Sequence, residues 1–307
     1  MKSYDREEFL RLCETTIESF TQAMRNTAKR VGLSCDFSRE YLTDAPDYRS
    51  VTQSIFIELF KKGDIVEDLR PNIYDPVEGT TIADAEVERV ARKTKLVDVR
   101  WTCEDGTELV ISTTRPELIC ACGVVVVHPD DERYKHLVGQ QISLPMETNG
   151  RSTTVTVQHH PSVKSDFGTG VLMVCSFGDQ NDVAVFRELG LDPFQAIDLE
   201  GKMTEIAGPL HGLTVLEGRA RAIELLEQSG RLVQAVDRDQ DIPVSERGKN
   251  PVEIILLKEW YVRQTHIQER MREHIESIRF HPVRNRQFLL DWMDNISIDW
   301  PISRRRW

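Results

Sequence analysis

The stretch "ISTTRPELICACGVVVV", residues 111–127, joins a β-like run, a polar turn and a long apolar segment. Hydroxyls, an arginine, a proline and an acid stand where the first run ends. Thr114 and Glu117 have the spacing of a capping box, in which each side chain satisfies a backbone N–H group at a helix start. The pattern predicts a capped helix start, and such a start also attracts anions and carbonyl oxygens.

The apolar segment "ICACGVVVV", residues 119–127, is the longest in the chain. It is far shorter than the roughly 18 residues needed to span a bilayer, so no membrane partner is expected. Six cysteines are scattered without a C-x-x-C motif, which predicts reduced, mostly buried thiols and a cytoplasmic protein. Cys120 and Cys122, two residues apart, are expected to share one face of an apolar strand.

On both sides of this stretch and within it, short β-rich runs separated by turn signals fill residues 80–175, a pattern typical of a small β-barrel or a strongly curved sheet. The predicted fold class is α+β, a β-barrel-like domain with flanking helical arms. The predicted parts are a helical arm and linker over 1–78, the barrel domain over 79–240 and a strand–helix arm over 241–307.

Apolar spacing predicts helices over residues 5–31 and 50–63, the second ending at Gly63. Further helices are expected over 180–190 and 215–230, with strands near 231–236 and 252–257. Residues 258–307 are expected to be mainly helical.

A formal net charge of −11 argues against a protein that coats nucleic acid, because neutralisation of phosphates drives such binding. DNA is therefore not an expected partner, whereas contact with one RNA end remains possible. His159 and His160 are adjacent on a strand and point to opposite faces, so they make a poor metal pair. No phosphate-binding lysine loop, nucleophile elbow or H-E-x-x-H motif occurs.

The second informative stretch is "DFGTGVLMVCSFGDQND", residues 166–182. Gly168 and Gly170 flank Thr169 in a turn where backbone can approach a ligand closely. Asp179 and Asp182 lie on one face of a predicted helix start. They either cap the helix and favour its dipole, or one carboxylate holds a ligand ammonium group while the other orients a hydroxyl.

Five quoted segments together resemble the inserted editing domain of class I aminoacyl-tRNA synthetases of the valine, isoleucine and leucine group. They are, in this order, "TTRPE", "GVVVVHPDDERY", "LVG", "FGTG" followed by D-x-x-D, and "ISIDWPISRRRW". "TTIADAEVE", "CSFGDQNDV" and "PVEIILLKEWYV" are most similar to archaeal-type valyl-tRNA synthetases. The HIGH-type and KMSKS-type signatures of ATP binding are missing, so no amino-acid activation is expected.

The resemblance implies hydrolysis of a mischarged aminoacyl ester at the tRNA 3′ end, without a covalent nucleophile and without a cofactor. Asp182 would bind the α-ammonium group and Asp179 the threonine hydroxyl. The other implied site residues surround the terminal adenosine and the ester; they are Thr113, Thr114, Arg115, Phe167, Gly168, Thr169 and Gly170. With Asp179 and Asp182, the two threonines would be the catalytic groups.

Three departures from the family pattern affect this interpretation. Met173 stands in the substrate site where bacterial valine enzymes carry a lysine, so no lysine contact is expected. Leu118 replaces the threonine of "TTRPET", which removes a hydroxyl. "DPVEGTT" and "SERGKNP" replace cysteine pairs of archaeal relatives, so no structural zinc or other metal is predicted.

Three functions follow from the resemblance. The first is an editing hydrolase acting on Thr-tRNA(Val). The second is an isoleucine-type editing domain acting on Val-tRNA(Ile). The third is a non-catalytic relative that binds tRNA or a protein partner, and the departures at Leu118 and the missing cysteines favour it.

Overall fold

The computed structural model describes residues 4–164, 168–296 and 299–304. Two compact units divide the chain. The helical unit comprises the described residues up to Val66 together with Arg263–Asn295, and the sheet unit comprises Glu67–Val262 together with the described residues after Asn295.

The α-helices within the described residues are α1 (Arg6–Arg30), α2 (Pro46–Lys62), α3 (Gln180–Glu188), α4 (Val215–Gln228), α5 (Gln268–Ser277) and α6 (Asn285–Asp294). The strands are β1 (Ile65–Asp75), β2 (Thr80–Thr81), β3 (Val87–Cys103), β4 (Glu108–Thr113), β5 (Cys122–Val127), β6 (Gln141–Ser143), β7 (Thr154–His159), β8 (Val171–Cys175), β9 (Leu232–Ser245), β10 (Glu253–Val262) and β11 (Trp300–Pro301).

In the helical unit, α1 and α2 confirm the helices expected from apolar spacing. The Asp5 side chain caps α1 by accepting a hydrogen bond from the backbone N–H of Glu8 at 2.8 Å. Helix α2 begins four residues earlier than predicted, because Pro46 suits the first helical position. It ends at Gly63, whose φ of 79° suits glycine best.

The sheet unit contains a four-stranded sheet in the order β11–β10–β1–β2 and a larger sheet in the order β4–β3–β6–β7–β5–β8, with β9 paired to β3. The end strands β4 and β8 lie in contact, so the larger sheet curls into a barrel-like form. This confirms the predicted α+β class with a barrel-like domain. Within the described residues, no helix has both the length and the apolar character needed to cross a bilayer.

The apolar segment at residues 119–127 divides between two elements. Strand β5 runs parallel to β7 and antiparallel to β8, and its four valines are almost completely buried. Cys120 instead lies in a 3₁₀ helix, Pro116–Ala121, and Cys122 begins β5. The expectation that both cysteines share a strand is wrong, because the chain turns between them.

Helices α3 and α4 confirm the two central helices. Strand β9 is longer than its predicted counterpart, and strand β10 continues to Val262, into the part expected to be helical. His159 is exposed at the end of β7, while His160 is buried and lies 2.6 Å, Nδ1 to Oγ, from Ser162.

Candidate functional site

Thr113, Thr114 and Arg115 lie where β4 ends and the 3₁₀ helix Pro116–Ala121 begins. The Thr113 Oγ1 accepts a hydrogen bond from the Arg115 backbone N–H at 3.0 Å, which closes the turn. The capping box predicted for Thr114 and Glu117 is wrong. Arg115 occupies the N-cap position without a side-chain cap, and the Glu117 carboxylate is drawn into the interior.

Glu117 is fully buried between two guanidinium groups. Arg115 Nε donates to Glu117 Oε1 at 3.0 Å, and Arg219 donates from Nε and Nη2 at 3.0 and 2.8 Å. Burial alone would raise the pKa of Glu117, but the two guanidinium groups outweigh it and hold this pKa below its ordinary value.

Arg115 has further acceptors beyond Glu117. Its Nη2 donates to Glu253 Oε2 at 2.8 Å, and its Nη1 donates to the Gly178 carbonyl at 3.3 Å. Arg219, Glu117, Arg115 and Glu253 therefore form a continuous arginine–glutamate chain. This chain joins α4, the 3₁₀ helix and the start of β10 to the turn before α3.

The turn Phe177–Asp179, the FGD turn, leads into α3 and brings both predicted acids to one place. Asp179 is the exposed N-cap, and its Oδ1 accepts a hydrogen bond from the Asp182 backbone N–H at 2.9 Å. Asp182 Oδ2 accepts from the Cys175 backbone N–H at 3.3 Å. The capping interpretation therefore holds for Asp179, while the Asp182 carboxyl faces the turn instead of a helix-end N–H.

The Asp182 carboxyl has an unusual proton affinity. Burial, and next the neighbouring Asp179 carboxylate, raise the pKa of Asp182 from 3.8 to about 8, and the Arg115 guanidinium opposes this rise. Near neutral pH Asp182 is therefore mainly protonated in the chain by itself. A cation placed beside it would favour the carboxylate.

Helix α3 is held against the sheet by its apolar face. Val183, Val185 and Phe186 are buried, and the Phe186 ring lies over Gly123 of β5. A Cβ at Gly123 would lie 2.3 Å from Phe186 Cζ, so only glycine allows this approach. Phe186 lies one turn beyond Asp182 on the same face of α3, so the position of Asp182 depends on this packing.

The turn Gly168–Gly170, the GTG turn, has positive φ at both glycines, 57° and 79°. A Cβ at Gly168 would lie 3.2 Å from the Oγ of Ser112, so the turn lies against β4. The Thr169 carbonyl accepts a hydrogen bond from the Tyr134 hydroxyl at 2.8 Å, whereas the buried Thr169 Oγ1 has no partner within the described chain. Phe167, predicted to pack on the base or ribose, lies outside the described residues.

Met173 and Leu118 are both buried in the hydrophobic core, at 7% and 3% exposure. Met173 lies on β8 opposite Val125 of β5. Both side chains therefore pack in the apolar core and add no polar group to the neighbouring turns.

The end of β4 contacts both ends of the second informative stretch. Ser112 lies under the GTG turn, and Arg115 binds the carbonyl of the FGD turn. The structure thereby gathers hydroxyls, a guanidinium and two carboxyl groups around one strand end. Such a set can bind an ammonium group, orient a hydroxyl and donate hydrogen bonds to a developing oxyanion.

The segments "DPVEGTT" and "SERGKNP" meet at buried Asp75. Asp75 Oδ2 accepts hydrogen bonds from Ser245 Oγ at 2.7 Å and Asn250 Nδ2 at 3.1 Å. Its Oδ1 accepts from the backbone N–H groups of Val77 and Glu78 at 2.9 and 3.0 Å. This Asp75 clasp joins the two segments by hydrogen bonds from uncharged groups.

The family model for class I tRNA synthetases (I, L, M and V) matches residues 1–307. The chain belongs to this family. Its relatives include the valine–tRNA ligase of Nanoarchaeum equitans (strain Kin4-M), 42% identical over 99% of this chain and 40% of the relative. Another is the valine–tRNA ligase of Aeropyrum pernix, 41% identical over 98% of this chain and 36% of the relative. The chain thus spans about two fifths of the length of these relatives.

Among solved structures, the chain is similar to a LeuRS–tRNA–LeuAMS ternary complex from Agrobacterium radiobacter K84. The identity is 18%, the TM-score is 0.38, and the match covers 73% of this chain and 36% of that one. A TM-score this low supports no conclusion about function.

Two residues at the site, Arg219 and Glu253, were missed by reasoning from the sequence. Glu253 lies within the quoted segment "PVEIILLKEWYV", but its charge carries no signal of a partner 138 positions away. Arg219 lies among other charged residues on α4, where an exposed position is the ordinary expectation. Only the tertiary fold brings both side chains to Arg115.

Proposed function

We propose that the chain hydrolyses mischarged Thr-tRNA(Val) at the 3′-terminal aminoacyl ester. The observation that carries this proposal is the meeting of the GTG and FGD turns at the end of β4, which groups the candidate residues around one strand end. The similarity to archaeal valine–tRNA ligases supports valine as the cognate amino acid.

The need for such a site follows from the chemistry of the amino acids. Valine and threonine are nearly isosteric, and a hydrophobic pocket rejects the extra hydroxyl by only about a hundredfold. A second site with polar groups placed for that hydroxyl can select threonine, because valine would leave those groups unpaired.

In the proposed reaction, a water molecule attacks the ester carbonyl and the carbonyl oxygen becomes an oxyanion. The bond to the ribose oxygen then breaks, that oxygen takes the proton given up by the attacking water to become a hydroxyl, and threonine leaves as the free acid. Asp182 binds the α-ammonium group and Asp179 the side-chain hydroxyl. Hydroxyls of Thr113 and Thr114 border the ester, and hydrogen bonds to the oxyanion supply the main stabilisation.

The proton on Asp182 is part of this proposal. An ammonium group beside Asp182 stabilises the carboxylate and lowers the pKa of Asp182 below its value of about 8 in the chain by itself. Substrate binding near neutral pH should therefore release a proton from Asp182.

The GTG turn borders the terminal nucleotide, where its glycines allow close approach of the backbone.

A single-turnover deacylation assay tests the proposal. Threonyl-tRNA(Val) should be hydrolysed faster than valyl-tRNA(Val), and Asp182→Asn should lower kcat/KM by roughly 10- to 100-fold, the loss of one charge-assisted hydrogen bond. Arg221→Gln is the matched control, since Arg221 forms an exposed pair with Glu224 on α4. Equal, background-level rates with both esters would refute catalysis and favour a non-catalytic tRNA-binding relative.

Valyl-tRNA(Ile) provides a third arm of the assay. Faster hydrolysis of this ester than of threonyl-tRNA(Val) would replace the valine-type assignment by the isoleucine type. Asp179→Ala sharpens the choice, because loss of a hydroxyl contact should reduce selectivity for threonine over valine.

A further inference from the structure

We propose that Arg219 and Glu253 are positioning residues, which hold the Arg115 guanidinium against the FGD turn. This inference rests on the proposed hydrolysis. Neither residue was expected at the site from the sequence, and both reach it only through the arginine–glutamate chain.

The arginine–glutamate chain alternates in sign along its whole length. Arg219 contacts Glu117 through two donors, Glu117 contacts Arg115, and Arg115 contacts Glu253. Two positive and two negative groups balance each other. The Glu117 side chain has no exposure and that of Glu253 only 8%, so water screens these two carboxylates poorly, whereas the side chains of Arg115 and Arg219 are 24% and 23% exposed.

The arginine–glutamate chain reaches the reacting groups through one peptide. The Gly178 carbonyl accepts from Arg115 Nη1, and the α-carbon of the same residue faces the Asp182 carboxyl. A Cβ on Gly178 would lie 2.0 Å from Asp182 Oδ2. The guanidinium is therefore hydrogen-bonded to the peptide that packs directly against Asp182.

Stability alone gives a poor explanation for these buried ions. Removing charges from water is expensive, and well-packed apolar residues of similar volume are often equally or more stabilising. An alternating chain of ions instead fixes directions, because each guanidinium donates along defined axes. Here those axes run from α4 and β10 to the FGD turn.

The proposal predicts that two substitutions, each of which removes one charge from the arginine–glutamate chain, shift the pKa of Asp182 in opposite directions. Glu253→Gln leaves the arginine–glutamate chain with one net positive charge, and Arg219→Gln leaves it with one net negative charge. Among the described residues, and apart from Arg115 on the loop after β4, the titratable groups that face Asp182 are Asp179 at the start of its own helix and Cys175 on β8. Neither substitution alters Asp179 or Cys175.

The experiment measures the titration of the Asp182 carboxyl carbon by NMR in the whole chain, with Asp182→Asn for assignment. Glu253→Gln should lower the midpoint and Arg219→Gln should raise it, each by about 0.5 pH unit for charges near the surface of a protein. Arg221→Gln, the exposed neighbour on α4, should leave the midpoint unchanged. Arg219→Lys keeps the charge and should also leave it near the wild-type value.

Deacylation of threonyl-tRNA(Val) gives the second readout. Both neutral variants should lose about tenfold in kcat with little change in KM, because the groups that bind substrate remain present but are displaced. Arg219→Lys should recover part of this loss. Midpoint shifts of the same sign, or shifts no larger than that of Arg221→Gln, would overturn the positioning role.

If the proposed hydrolysis is wrong, the deacylation rates and the Asp182 midpoints give a different combination of results. An inactive wild-type chain would refute the hydrolysis, while the sign of the two midpoint shifts would still decide whether the arginine–glutamate chain acts on Asp182. If Arg219→Gln does not fold, Arg219→Lys and Glu253→Gln together still test the proposal.

Discussion

Two carboxylates of the sheet unit, Glu117 and Asp75, are both completely buried, yet they are satisfied in different ways. Glu117 lies between the guanidinium groups of Arg115 and Arg219. Asp75 accepts only from backbone N–H groups, a hydroxyl and an amide. Glu117 therefore belongs to a chain of full charges that ends beside the candidate site. Asp75 belongs to a local clasp that joins two loop segments.

The difference separates two uses of a buried acid. A hydrogen bond from an uncharged donor affects mainly the two groups that it joins. The Asp75 clasp should therefore change the free energy of unfolding but not the chemistry of the candidate site. Paired ions in a poorly screened interior act over longer distances, so the neighbours of Glu117 should affect both stability and the chemistry of Asp182.

The largest expected effect comes from Glu117→Ala. It would leave two guanidinium groups facing each other without their shared partner, and breaking a buried pair in this way typically costs about 3–5 kcal/mol. Urea denaturation measures the loss in the free energy of unfolding. Glu224→Ala, which breaks the exposed pair with Arg221, should cost less than about 1 kcal/mol. Equal losses in both variants would show that the interior pairs have no special role.

Asp75→Asn should have the next largest effect. The amide keeps the size of the side chain but turns an N–H group toward donors, so the free energy of unfolding should fall by about 2 kcal/mol. Deacylation per folded molecule and the Asp182 titration should not change. The exposed Asp105, which accepts from the Thr107 backbone N–H at 2.8 Å, supplies the control variant Asp105→Asn. A change in the Asp182 midpoint would break the distinction between the two carboxylates.

Asp182→Asn should change the pH dependence of stability. Asp182 holds its proton more tightly in the folded chain than in the unfolded chain. Its contribution therefore favours folding below pH 3.8 and is lost as pH rises through about 8. The Asp182→Asn variant has no carboxyl group at this position, so its free energy of unfolding does not fall in this way as the pH rises.

Relative to wild type, Asp182→Asn should therefore gain stability between pH 4 and pH 9, on the order of 2 kcal/mol after allowing for partial exposure of the side chain. Thermal melts across this range provide the measurement. The side chain of Asp130 is 92% exposed, so Asp130→Asn is the control. Its free energy of unfolding should change with pH in the same way as that of wild type. A constant difference between Asp182→Asn and wild type at all pH values would contradict the raised pKa.

Tyr134→Phe should have the smallest effect. It removes one uncharged hydrogen bond to the Thr169 carbonyl, worth about 1 kcal/mol, and resembles the Asp75 clasp in acting locally. Amide hydrogen exchange should become faster in the GTG turn and remain unchanged in α3. Faster exchange in α3 would mean that the two turns are coupled through β8.

The sequence alone allowed prediction of the elements whose pattern is local. The apolar valines of β5 and the helices α1 and α4 follow from residue spacing. The capping-box spacing shows where this reasoning ends. At Thr214 and Glu217 the box forms, since both side chains are exposed and have no competing partner. At Thr114 and Glu117 the same spacing fails, because Arg115 and Arg219 bind the acid more strongly than a backbone N–H can.

The site was likewise predictable only in part. The two turns and the strand end were identified as motifs, and the fold brings them together. The arginine–glutamate chain could not be predicted, because Arg219 and Glu253 are far from Arg115 in sequence and carry ordinary surface residue types. Strand β9 was underestimated for a related reason. The charged part of β9 pairs with β3 in an exposed two-stranded ribbon. It therefore lacks the alternation of apolar and polar residues from which a strand is predicted.

The missing methyl group of Gly123 sets the axial and rotational placement of α3. Since the Phe186 ring occupies the space of that methyl, any side chain at position 123 would displace the ring and with it the helix from β5. An apolar contact one helical turn away, on the same face of α3, thus determines where the Asp182 carboxyl meets its ligand.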